Sequence, residues 1–186
     1  MKRCLVLLVL FCSSLSWALN YELGMSYARK KNSFDKDNYF DTESTTASFS
    51  FYFSEIIALE LSYTDAVANR YEKPPGGNLI QTYQKTEILG ADLIFVLAPK
   101  TSFIQPFVKG GIAQLKRKQI TYDSSLNTPV PLDIETAVVP SYGAGIKFRV
   151  TDSLSLRVSY DVWRTPVGGG VITDDNQLRA GLSWMF

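Results

Sequence analysis

The sequence predicts an all-β protein, an eight-stranded antiparallel transmembrane up-and-down β-barrel. Three observations predict it. Apolar and polar residues alternate with period two in a series of separate segments, the pattern of strands with one apolar face. The connections between those segments alternate short and long, as they do in membrane barrels with short inner turns and long outer loops. No apolar run after Ala18 approaches the about 20 residues of a membrane helix, so a membrane protein of this composition spans with strands.

The elements follow in order. The first strand covers Asn20 to Arg29, with Tyr21, Leu23, Met25 and Tyr27 on one face. The second runs from Ser44 to Phe53, with Ala47, Phe49, Phe51 and Phe53 against Thr46, Ser48 and Ser50. The third sets Ile57, Leu59, Leu61 and Tyr63 against Glu60, Ser62 and Thr64. The fourth carries Leu89, Ala91, Leu93, Phe95 and Leu97. The fifth is the least regular, with Ile104, Val108 and Ile112 taken as outward. In the sixth, Tyr142, Ala144, Ile146, Phe148 and Val150 alternate with Gly143, Gly145, Lys147 and Arg149. In the seventh, Leu154, Leu156, Val158, Tyr160 and Val162 alternate with Ser155, Arg157, Ser159 and Asp161. The eighth is Leu178 to Phe186, where Leu178, Ala180, Leu182, Trp184 and Phe186 share a face.

Short connections fall at 54–56, 98–102 and 151–153, and long ones at 30–43, 67–81, 116–136 and 164–175. The long ones hold most of the Pro, Asn and Asp, including Pro74-Pro75-Gly76-Gly77 and Gly168-Gly169-Gly170. The segments Ser54 to Tyr63 and Thr151 to Tyr160 match in turn residues, apolar spacing and a final Ser-Tyr. Duplication of a four-stranded half and convergence on one turn-plus-strand pattern both account for this repeat.

The N-terminus reads as a secretory signal peptide, residues 1–18. Lys2 and Arg3 precede an apolar run from Cys4 to Cys12, and Ser16 and Ala18 supply the small residues of a cleavage site. Removing it leaves residues 19–186 as one domain, with both cysteines gone and 17 basic against 18 acidic residues (19 − 2 = 17). That balance gives no basis for nucleic-acid binding.

A soluble eight-stranded barrel would turn its apolar face inward. Tyr27, Phe53, Tyr63, Trp184 and Phe186 lie near strand ends instead, where membrane-interface girdles place aromatic residues. The C-terminal segment, on Leu182, Trp184 and Phe186, resembles the insertion signal of bacterial outer-membrane barrels. With the alternating strands and the Ser62-Tyr63 and Ser159-Tyr160 repeats, residues 19–186 resemble the small barrels of the OmpA-transmembrane-domain, OmpX, OmpW and opacity-protein group within the porin family. The resemblance implies a location in the outer membrane of a Gram-negative cell. It implies a structural or interactive role at the cell surface. It also implies contact with outer-membrane lipid, lipopolysaccharide and the barrel-insertion machinery, in a monomer. It covers no peptidoglycan-binding domain of the full-length OmpA kind.

With apolar residues toward lipid, the other face lines the interior. It carries Glu22, Glu60, Asp92 and Asp161 against Lys109, Lys147, Arg149, Arg157 and Arg179. An eight-stranded barrel is filled by its own side chains, so these charges are expected as ion pairs. Hairpin register predicts Asp161 beside Arg179 and Asp92 beside Lys109. Lys147 and Arg157 fall side by side and need an acid, for which Glu60 is the candidate. The reading is a structural plug. The alternatives are a narrow OmpW-like channel for small or hydrophobic solutes, with the small interior of the sixth strand in its favour, and an adhesin acting through the outer loops.

No enzyme is expected. Outer-membrane hydrolases and transferases of this architecture use a histidine as base, and the chain has none. No phosphate loop, zinc spacing or dinucleotide fingerprint occurs, so no cofactor or metal is expected. Asp35, Asp37, Asp174 and Asp175 read as solvated loop charge. Two basic clusters, Arg29-Lys30-Lys31 and Lys116-Arg117-Lys118, fall at outer strand ends, where phosphorylated lipid lies. They are candidate lipopolysaccharide contacts.

Overall fold

The computed structural model describes residues 20–33, 38–73, 80–123, 130–166 and 172–186. The signal-peptide segment and its cleavage site, Asp35, Asp37 and the two Gly- and Pro-rich loop tips lie outside the described residues.

Eight strands follow one another around the barrel: β1 (Asn20–Ser33), β2 (Tyr39–Tyr52), β3 (Ile57–Glu72), β4 (Ile80–Val96), β5 (Ile104–Asp123), β6 (Val130–Arg149), β7 (Leu154–Pro166) and β8 (Ile172–Met185). Each pairs antiparallel with its neighbours, and β1 pairs with β8 to close the sheet. Closure is made at the last residue: Phe186 N donates to Tyr21 O at 3.0 Å and accepts through its own carbonyl from Tyr21 N at 3.1 Å. No sheet edge is left at that end, which a chain spanning a bilayer with strands requires. Among the described residues, no helix is long and apolar enough to cross a membrane.

The outer surface explains the fold. Leu23, Met25, Leu61, Leu89, Ile112, Leu178 and Leu182 are all exposed, as a lipid-facing band demands. The band stops on every strand. Its first polar outward residues are Arg29, Thr45, Asp65, Glu87, Gln114, Thr136, Arg164 and Asn176. Tyr27, Tyr63, Tyr142 and Tyr160 lie at or just below that limit, where amphipathic rings favour the interface.

The strands do not stop with the band, and here the sequence reading is corrected. Connections expected over 30–43, 67–81, 116–136 and 164–175 are in large part strand. β1 runs to Ser33, β3 to Glu72 and β5 to Asp123. Above the lipid, outward positions turn polar, so apolar alternation disappears while the backbone ladder continues. The wall therefore stands out beyond the membrane. Asp174 and Asp175, read as loop charge, belong to β8.

The inner turns repeat as the sequence does. Ser54 Oγ accepts from Ile56 N and Ile57 N at 3.3 and 3.0 Å, while Thr151 Oγ1 accepts from Ser153 N and Leu154 N at 3.3 and 2.9 Å. Both hydroxyls satisfy backbone donors of a tight turn, which is what Ser and Thr do at such positions. The two turns lead into β3 and β7, on opposite sides of the barrel.

Candidate functional site

The lumen is filled in three layers, from the inner end upward. The lowest is apolar: Tyr52, Ala58, Ile94, Val96 and Phe107 form a buried cluster with Met185 against it. Phe107 owes its place to Gly145, its cross-strand partner. A Cβ on Gly145 would come within 2.5 Å of the Phe107 ring and of the Val158 carbonyl oxygen. The 97–103 turn lies at the inner mouth, where Gln105 donates to the carbonyls of Lys100 and Ser102 at 2.8 and 3.1 Å. Lys100 Nζ lies over the Tyr52 ring, 4.9 Å from its centre.

The second layer is ionic. Glu22, Glu60, Asp92, Lys109, Lys147, Arg157, Asp161 and Arg179 all face inward and are buried. Glu22 takes Lys147, whose Nζ donates to its two oxygens at 2.8 and 2.6 Å. Tyr52 hydroxyl donates to the same carboxylate at 2.6 Å. Glu60 reaches across the lumen and is hydrogen-bonded by Arg157 and, at 3.1 Å, by Lys109. Ser50 donates to it at 3.3 Å. Lys109 Nζ stands 3.4 Å from Asp92 and 2.8 Å from Asp161 Oδ1, the latter contact lying outside hydrogen-bonding alignment. Ser141 donates to Asp92, and Ser159 to Asp161 at 3.0 Å. Arg179 pairs with Asp161 at 3.5 Å and donates to Thr64 at 3.2 Å. Two cations also rest on rings: Arg157 lies 4.6 Å from the centre of Phe107, and Arg179 lies 4.8 Å from that of Trp163.

Three expectations change. Glu60 takes Arg157 as expected, and Lys109 besides, but Lys147 is held by Glu22. Arg149 leaves the network: it is the last residue of β6 and reaches the exposed turn residue Asp152 at 3.6 Å. Its departure leaves four acids facing four bases in the buried layer. The space beside the Gly positions of β6 is also filled. A Cβ on Gly143 would meet Asp161 Oδ1 at 2.7 Å and Lys109 Cε at 3.2 Å, so that space is already taken by the ion pair.

The third layer is an outward-facing cup of about 160 Å³. Ala68, Ile88, Leu115 and Trp163 give it apolar walls, and Lys30, Arg117 and Asp175 stand at its rim. Tyr52, Phe107, Trp163 and Ser141 were not singled out from sequence as interior residues. Each follows by parity from an assigned neighbour: Phe107 must face inward if Val108 faces outward.

Alternation also divides the basic clusters. Lys30 and Arg117 turn inward to the cup, so neither can sit in the lipid-facing surface. Arg29, Lys31, Lys116 and Lys118 turn outward. Arg29 is neutralised by Asp41 at 2.9 Å and Glu43 at 3.4 Å. The hydrogen bond from Arg29 lowers the Asp41 carboxyl below its ordinary value. Lys31 lies over Tyr39, 5.5 Å from its ring centre. Among the described residues, Lys116 and Lys118 have no carboxylate partner. Lys118 is opposite Lys85, which Asp65 holds at 3.2 Å. Leu182, Trp184 and Phe186 lie exposed on the lipid face of β8 and its end. Among the described residues no group of acids, histidines or cysteines could hold a metal ion.

A closed eight-stranded sheet with an apolar outside and an ion-paired inside is an integral membrane barrel. The chain matches the outer membrane protein beta-barrel domain family over residues 4–186. It belongs to that family, and its place is the outer membrane of Gram-negative bacteria. No curated protein matches it by sequence. Solved structures share the fold at low identity. The N-terminal β-barrel domain of Pseudomonas aeruginosa OprF is 14% identical with a TM-score of 0.59, over 90% of this chain and 97% of that one. Neisserial surface protein A is 16% identical with a TM-score of 0.62, over 90% and 97%. Yersinia pestis Ail, the attachment invasion locus protein, in complex with the heparin analogue sucrose octasulfate, is 16% identical with a TM-score of 0.57, over 90% and 99%.

Proposed function

We propose that this protein is a plugged, non-enzymatic outer-membrane barrel with a structural and surface-interaction role. The observation that carries the reading is Glu60, held from across the lumen by Arg157 and Lys109 directly above the Phe107 layer. A space beside these charges measures about 20 Å³, the room of one water. A solute would have to break buried ion pairs and displace the aromatic layer together. Surface contacts then fall to the wall that stands above the lipid.

The test is single-channel conductance of the refolded protein in a planar bilayer, with Glu60→Gln beside it. A silent bilayer, with insertion shown by heat-modifiable migration, supports the plug. Steady discrete conductance that changes in Glu60→Gln overturns it and puts a narrow conduit first. The adhesin reading draws only on shared fold with proteins such as Ail.

The same proposal includes biogenesis and lipid contact. A signal peptide cleaved after Ala18 exports the chain, and the insertion machinery reads Leu182, Trp184 and Phe186 of a monomer. Lys116 and Lys118 are the lipopolysaccharide contacts, because they are outward cations just above the apolar limit that form no ion pair among the described residues, although Glu87 stands opposite Lys116.

A further inference from the structure

The outer cup differs from the lumen below it in how its wall is held. The β1–β8 ladder ends at Tyr27 and Ala180, and the β6–β7 ladder ends at Ser141 and Trp163. Above those points the β7–β8 hairpin is paired only with itself, up to Pro166 and Ile172. Side-chain polar contacts tie this ribbon to the rest of the wall, among them a hydrogen bond from Gln177 to Ser44 on β2. Lys30 Nζ donates to Asn176 Oδ1 at 3.0 Å, and Arg117 reaches across the mouth from β5 to Asp175 at 3.0 Å. Side chains, not backbone pairing to a neighbouring strand, therefore hold this side of the cup.

The contents of the cup select a ligand class. Its body is apolar, with Ala68, Ile88, Leu115 and Trp163 on its walls. Its volume of about 160 Å³ is close to that of a roughly 150 Å³ engineered cavity that takes up benzene. Its charge is unbalanced. Both lining carboxylates are matched, Asp175 by Arg117 and Asp174 by Arg164 at 3.7 Å. Lys30 has a neutral amide and, among the described residues, no carboxylate. Thr42 Oγ1, buried in the same wall, has no hydrogen-bond partner among the described residues. An apolar body about one ring wide with a single anionic head meets all of these features.

We propose that the cup binds a small amphipathic carboxylate. The ring or branched chain rests against Trp163, Ile88 and Leu115, and the carboxylate is taken by Lys30 in exchange for Asn176, with Arg117 nearby. Binding loosens the contact that holds the β7–β8 ribbon. The inference goes beyond the plug, which only makes the floor of the cup blind.

The test uses benzoate as probe and benzyl alcohol as its uncharged counterpart, with calorimetry on the refolded barrel in detergent. Expected are saturable one-to-one binding of benzoate and benzyl alcohol weaker by about tenfold or more, the loss of one charge-assisted hydrogen bond. Lys30→Gln brings benzoate down to the level of the alcohol. Ile88→Trp fills the cup and removes both, with Ala68→Phe as a second filling variant should the first fail to show heat-modifiable migration. Benzoate binding no better than the alcohol overturns the proposal, and so does binding unchanged by Lys30→Gln or by filling the cup. Conductance does not enter this assay, so a failure of the plug is read separately.

Discussion

Glu60 and Arg157 occupy the same place in the two halves of the internal repeat, 97 residues apart, and they meet across the lumen. Ser54 corresponds to Thr151 and Tyr63 to Tyr160 in the same alignment, with equivalent turn hydrogen bonds beneath both. Equivalent positions on opposite strands of a barrel lie at one height and face one another. An acid at that place in one half and a base in the other thus produce a bond that spans the interior.

The first prediction concerns that bond. Glu60→Gln leaves Arg157 buried with a neutral partner, while Lys109 keeps Asp92 and Asp161. Breaking a buried pair by removing one member costs ~3–5 kcal/mol. Urea unfolding of the vesicle-inserted barrel should show that loss, and an unchanged midpoint would remove the ionic layer from the account of stability.

The second prediction separates the charge of a pair from its shape. Lys147→Met strands Glu22 with Tyr52 as its one remaining donor. It should destabilise by several kcal/mol, about 3–5 by the same reasoning. Glu22→Gln placed on top of Lys147→Met removes the stranded charge and should recover most of the loss. A double variant as unstable as the single one would mean that Lys147 acts through packing between Tyr52 and Phe107, whose ring centres lie 5.3 and 5.7 Å from its Nζ.

How much of this was legible in the sequence depends on distance along the chain. The period-two pattern is local, so the eight strands, the lipid-facing band and the inward position of eight charges could be read directly. Hairpin neighbours could be read as well: Asp161 with Arg179, and Asp92 with Lys109. Partners across the lumen could be read only in part, Glu60 with Arg157 but not Lys147 with Glu22, because they depend on the stagger of the closed sheet. That stagger gives Lys147 to Glu22 and leaves Glu60 to Arg157 and Lys109. Arg149 has the inward parity but sits on the last rung, where a turn acid is nearer than the lumen. The outer strand extensions were hidden because no lipid lies beside them to impose an apolar face.

The third prediction tests why β6 carries glycine at 145. Its missing Cβ makes room for Phe107, and one of the atoms in the way is the backbone oxygen of Val158, which cannot rotate aside. Gly145→Ala should cost about 1–3 kcal/mol by overpacking. Combining it with Phe107→Leu removes the ring contact and should return part of the loss. Thermal shift of gel migration measures both, and a Gly145→Ala barrel as stable as the parent would mean that Phe107 is not held against that backbone.

The fourth prediction distinguishes the basic surfaces. Arg29 is outward but already bound by Asp41 and Glu43, so Arg29→Gln should leave lipopolysaccharide co-purification unchanged. Lys116 and Lys118 form no ion pair among the described residues, and the double change Lys116→Gln with Lys118→Gln should lower it severalfold. Charges at a solvated interface are screened by salt, so the difference should shrink as ionic strength rises. Equal loss from Arg29→Gln would mean that the lipid responds to total rim charge. No loss from the double change would remove β5 from the lipid contact altogether.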